Sequence, residues 1–158
     1  AYSPCGVHDM SRKRAARACL PKFWRPKSDA STRTLSKIVH WDLVDRFTSG
    51  TATVADCWDW METGFTYSQM FRLLWEDGEP LTPEAEAAIA AQLNTYPAVC
   101  QRLREKKRVG LSGPELQIAR QAAQVFDGLI DLDRNGIAVA AVQWSDQQMR
   151  QIRRALSI

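Results

Sequence analysis

Three groups of side chains in this chain have types and spacings that bear on chemistry: an acidic hexapeptide, a Cys/His trio and a basic stretch carrying aromatic rings. Asp131-Leu132-Asp133-Arg134-Asn135-Gly136 reproduces the first half of an EF-hand calcium loop, D-x-D-x-N-G. Calcium takes about six to eight oxygen ligands, and such a loop closes on a bidentate acid at its twelfth position. That position is Val142 here, and Arg134 sets a cation among the would-be ligands. The hexapeptide therefore reads as a helix end followed by an Asn-Gly turn. Cys5-x-x-His8 with Cys19 invites a zinc reading, but structural zinc needs about four ligands, usually as two paired clusters. A second cluster is lacking in the sequence, so no metal or cofactor is expected.

Catalytic patterns are equally thin. The chain has two histidines, His8 and His40, and no nucleophile-elbow or phosphate-cradling glycine motif. The grouped carboxylates Asp56/Asp59/Glu62 and Glu84/Glu86 stand at helical spacing near helix starts, the pattern of a solvated face. Without a cleft to converge on, they do not form an acid/base pair, and the chain is not expected to be an enzyme.

The basic stretch differs in kind. Arg12, Lys13, Arg14, Arg17, Lys22, Arg25 and Lys27 are interleaved with Phe23 and Trp24, which joins phosphate-neutralising charge to rings able to stack on bases. Neutralising about six phosphates would give a log–log salt slope of roughly −4 to −5. A solubilising tail, or a tether folding onto the protein's own acidic helices, is the alternative. Arg104, Lys106, Lys107 and Arg108 form a second cluster at a helix end, where cations also suit the helix dipole. Arg150, Arg153 and Arg154 form a third.

These groups lie on a chain whose charge is sorted by position. Residues 1–37 carry nine Lys/Arg against two Asp/Glu, residues 38–99 two against ten, and residues 100–158 ten against six, or +7, −8 and +4, summing to the net +3. The acidic middle could offer carboxylates to a basic groove on another protein, with Asp56, Asp59, Trp60 and Glu62 as the expected partner-binding residues. Trp58 and Trp60, two residues apart, face away from each other on a helix. At least one of Trp41, Trp58, Trp60 and Trp75 should therefore be exposed or at an interface.

The elements that position these residues read as helices. At 158 residues, 45% hydrophobic and 25% charged, the chain suits one globular domain. Residues 1–33 read as a basic extended arm, because a charged, proline-bearing stretch buries too little apolar area to offset its ordering entropy. Residues 34–158 read as an all-α bundle of about five helices. Patterning from Leu35 sets Ile38, Val39, Val44 and Phe47 on an apolar stripe opposite Asp42 and Asp45, until Thr48-Ser49-Gly50 stops the run. Thr53 with Asp56 opens a second helix, with Gly64 a weak point in it; Thr82-Pro83 opens a third, which Pro97 should kink or split. Ser112 with Glu115 opens a fourth as a capping box, and Ser145 with Gln148 a fifth. Residues 137–142 form a helical continuation or a linker in preference to a lone strand. The absence of an apolar run of about 20 residues argues against a membrane span. A soluble protein of a bacterial cytoplasm, with its four cysteines reduced, is expected. Met10 followed by Ser-Arg-Lys-Arg reads as a translation start, which sets residues 1–9 apart as an extension.

The order of these pieces resembles that in uncharacterised small helical proteins of proteobacterial phages, prophages and mobile elements. The likeness rests on Met-Ser-Arg-Lys-Arg at 10–14, the acidic helix opening at 53–60, the capping box at 112–116 and the arginine-bearing helix at 145–155. The nine residues before Met10 and the Cys57-Trp58 pair depart from that pattern. The resemblance implies an accessory protein that binds a host or phage macromolecule, sometimes to inhibit a host defence complex. The other reading is a nucleic-acid-binding protein or transcriptional regulator that holds DNA or RNA with its arm.

Overall fold

A computed structural model describes residues 29–134 and 136–156. The arm residues Arg12 to Lys27 named above, and the Cys5/His8/Cys19 trio, lie outside the described residues. Five helices follow: α1 (Ala30–Ser49), α2 (Val54–Glu76), α3 (Pro83–Lys106), α4 (Gly113–Leu132) and α5 (Ile137–Ala155).

Local chemistry sets their starts and stops. Asp29 accepts from the N–H groups of Ser31 (2.9 Å) and Thr32 (3.1 Å), so α1 begins at Ala30 and takes in residues expected to belong to the arm. Gly50, at φ 73°, ends it in the left-handed conformation that glycine adopts without a Cβ penalty. Capping boxes open α2 (Thr53/Asp56) and α4 (Ser112/Glu115), and Thr82 with Pro83 opens α3. The helix α3 is not split at Pro97, which is exposed and replaces one interior N–H without ending the run. At its far end Arg102 forks onto Glu115 (3.0 and 2.6 Å), tying the close of α3 to the opening of α4.

Ser145 is not a helix start. The last helix begins eight residues earlier, behind Gly136 at φ 67°, and Ser145 is fully buried mid-helix, donating to the Val142 carbonyl (2.9 Å) and accepting from Thr66 Oγ1 (2.7 Å). A serine that bonds back to its own helix and across to a neighbour carries no capping duty. The acidic hexapeptide does end a helix: Asp131 pairs with Lys37 (2.8 Å), and Asp133 accepts from the Ala138 N–H (3.0 Å) in the first turn of α5.

The helices run alternately up and down around two apolar clusters. One joins Leu43, Val44 and Phe47 to Cys57, Trp60, Met61, Val99, Leu103, Ala119 and Met149. The other joins Met70, Leu74, Ile89, Phe126, Leu129 and Ala141. In this arrangement α2 is the centre, packed against all four other helices. That is why Trp58 and Trp60, on opposite sides of α2, are both buried, at 7% and 2% exposure. Among the described residues the exposed indole is Trp75, at 59%. Burial pushes the Cys57 thiol up to about 11, and Cys100 is raised for the same reason, so both stay protonated near neutrality.

The buried stripe of α1 is His40, Leu43, Val44 and Phe47; Ile38 and Val39, expected on it, face out. His40 lies edge-on to Tyr67 and Phe126, and its Nε2 is 2.9 Å from Asp127 Oδ1. Burial lowers its pKa, against the opposing pull of Asp127. Trp41 donates to the other Asp127 oxygen at 3.0 Å.

Gly64 is where α2 and α3 come closest. A Cβ there would overlap the Tyr96 hydroxyl and come within 2.8 Å of Gln92 Nε2. That hydroxyl accepts from Gln92 (2.9 Å) and donates to the Trp60 carbonyl (3.3 Å). Gly64 is thus a packing requirement in place of the weak point its helix propensity predicts. Gly64→Ala, which gains about 1 kcal/mol in an exposed helix, should instead lower stability by about 1–3 kcal/mol through overpacking. Thermal unfolding of Gly64→Ala with and without Tyr96→Phe checks this: removing the hydroxyl should recover part of the loss.

Candidate functional site

The helices α1 and α5 flank α2 and leave a strip of it open between them. The result is a groove of about 660 Å³, with Leu35 and Val39 of α1 on one wall, Val142 of α5 on the other, and Thr63, Thr66 and Tyr67 of α2 along the floor beside His40. Its walls are apolar and wet: Leu35 is 63% exposed, Val39 59% and Val142 46%. Scattered exposed apolar residues are ordinary, but two walls of them facing one groove mark an interaction surface.

Carboxylates gather toward one end, where Asp42, Asp56, Asp59 and Glu62 line the groove against one guanidinium, Arg46. They are not equivalent. Asp56 is buried and spent on structure: it accepts from the Thr53 N–H (2.7 Å) and hydroxyl (2.9 Å), and pairs with Arg46 (2.9 Å). The Thr53 hydrogen bonds, aided by Arg46, hold its carboxyl below the usual range. Arg46 also takes Asp42, at 2.7 Å. Asp59 is exposed and Glu62 half-buried. Burial, then the Asp146 carboxylate of α5 and Asp59, push Glu62 up, while Arg153 opposes them. The like charges of Asp146 and Asp59 beside Glu62 favour an incoming cation there.

Of the four residues expected to meet a partner, the groove therefore keeps Asp59 and Glu62 as open groups. Asp56 is a cap and ion-pair anchor. Trp60 is a core residue, edge-on to Phe47 (5.6 Å) and Tyr96 (5.0 Å). The apolar walls were missed although a signal for them exists: Leu35, Val39, Asp42 and Arg46 repeat at 4, 3 and 4, a second stripe on α1 beside the buried one. Nothing local marks Val142 or Asp146, which reach the site through the packing of α5 on α2.

Two further surfaces stand out. An open depression of about 560 Å³ lies between α2, α3 and Trp144, lined by Phe71, Trp75, Ile89 and Leu93 together with Arg72 and Glu86. At the opposite end of the molecule the fold gathers basic residues. Leu103 shares an apolar cluster with Ile152 and Leu156, which sets the close of α3, with Arg104, Lys106, Lys107 and Arg108, beside the close of α5, with Arg150, Arg153 and Arg154. All seven are exposed; Arg153 also lies 5.9 Å from the ring centre of Trp58.

Among the described residues no group of His, Cys, Asp or Glu is placed to hold a metal ion, and no helix is long and apolar enough to cross a membrane. Compared with protein-family models, curated proteins and solved structures, the chain matches none.

The raised pKa of Glu62 has a consequence for stability. A carboxyl that holds its proton more tightly folded than unfolded costs stability as pH rises above its unfolded value. Glu62→Gln should therefore raise the melting temperature at pH 7 and leave it nearly unchanged below pH 4, where the carboxyl is protonated in both states. Melting curves at the two pH values check the sign.

Proposed function

We propose that this chain is an accessory protein of a phage or mobile element that acts by binding, with the groove between α1, α2 and α5 holding a cationic, partly apolar segment of a host or phage protein. One observation carries the reading: exposed Leu35, Val39 and Val142 share the groove with Asp59 and Glu62, whose charge is not cancelled within it. Apolar walls supply affinity through burial, and the carboxylates at one end select basic residues and orient the segment. Capturing a basic segment of a defence complex is the form of inhibition this surface suits.

The test uses a defined probe, a dye-labelled amphipathic Lys/Leu peptide of about twelve residues titrated into the full chain. Val39→Glu and Asp59→Lys, both at exposed positions, should each weaken binding about tenfold, equivalent to about 1.4 kcal/mol. Unchanged affinity in both would refute the groove as the binding surface.

A second reading, nucleic-acid binding, is supported by the meeting of the basic ends of α3 and α5, which adds to whatever the arm contributes. On that reading, charge-neutral substitutions at Lys106, Lys107, Arg150 and Arg154 weaken binding of a short DNA duplex. They also flatten its log–log salt dependence by about 0.9 per lost phosphate contact. Binding that ignores both salt and these substitutions removes it.

A further inference from the structure

We infer that residues 20–27 of this same chain occupy the groove when no partner does, so that a partner must displace the chain's own basic segment; this rests on the groove being the binding surface. The described chain starts at Asp29, at the head of the helix whose Thr32, Leu35 and Val39 line the groove. Reach is not limiting. Extended chain advances about 3.3–3.6 Å per residue against about 1.5 Å for helix. The five or six residues between Asp29 and Trp24 or Phe23 thus span about as much length as the ten from Asp29 to Val39.

The chemistry runs in the matching order. Phe23 and Trp24 come level with the apolar walls, and Lys22, seven residues from the attachment point, comes level with the Asp42–Arg46 stretch of α1, where Asp59 and Glu62 line the acidic end. Pro21 and Pro26 favour extended over helical backbone, the form that fits a groove between two helices. The depression beside Trp75 competes poorly for the same segment, because none of its lining belongs to α1 and its single acid, Glu86, is offset by Arg72. Tethering supplies an effective concentration in the millimolar range, so even a weak intramolecular fit keeps the groove filled.

Zero-length carbodiimide cross-linking of the unaltered full chain at low micromolar concentration, mapped by peptide mass spectrometry, tests this directly. The expected result is a bond within one molecule from Lys22 to Asp59 or Glu62, lost at high salt. A full chain carrying Phe23→Ala and Trp24→Ala should bind the Lys/Leu probe about tenfold more tightly than the parent, because the competitor is weakened. Cross-links found only between two copies would assign the groove to a second chain and overturn the inference, as would lysine bonds confined to acids outside it. If the probe binds parent and variant equally, self-occupancy fails and the binding surface stands. If it binds neither, both fail.

Discussion

The structure depends on one constraint: α2 is surrounded, so nearly every side of it must be satisfied by protein. A helix packed on one face needs one apolar stripe, whereas α2 needs apolar residues around most of its circumference and a partner for each polar group it buries. Trp58 and Trp60, Cys57 and Met61 meet the first demand. The hydroxyl pair of Thr66 with Ser145, and the Gln92–Tyr96–Trp60 carbonyl chain, meet part of the second. The close approach at Gly64 lets the Tyr96 hydroxyl reach the backbone of α2. Glycine there sacrifices some helix propensity for an interhelical distance that no other side chain permits.

The groove follows from the same constraint. With α1, α4 and α3 packed side by side around one side of α2 and α5 packed on it from the other, the strip of α2 between α1 and α5 stays open. What fills that opening in the sequence is not neutral filler. The α1 face beside it carries Leu35 and Val39, and the α2 face Asp59 and Glu62. A surface that is both apolar and negative complements a positive, amphipathic chain, and the sequence immediately before α1 is of that composition. The basic residues at the ends of α3 and α5 lie at the same end of α2 as the acidic part of the groove: Arg153 stacks on Trp58 and opposes the upward push on Glu62.

Much of the fold is legible without coordinates because helix boundaries are local. Thr53/Asp56, Thr82/Pro83 and Ser112/Glu115 announce helix starts through bonds between residues three apart, and all three open helices. Where reading fails, a long-range contact has outvoted a local signal. Ser145 looks like a cap and is a buried bridge to Thr66. Val39 looks like core and faces the groove because His40, polar by type, is the residue α1 buries against Tyr67 and Phe126. Trp60 looks like an anchor for a partner and is an anchor for Phe47 and Tyr96.

The sequence by itself determined the helical class, three of the five helix starts, the end of α4, the stop of α1 at Gly50 and the separation of charge along the chain, since each follows from neighbours within a turn or from composition. Tertiary structure alone decided which helix is central, that Gly64 is a contact point, that Asp56 is withdrawn from the acidic face, and that Val39, Glu62, Val142 and Asp146 meet. Those outcomes depend on how far apart two helices pack and which way each is rolled, and both are properties of the whole packed core that no short stretch of residues encodes.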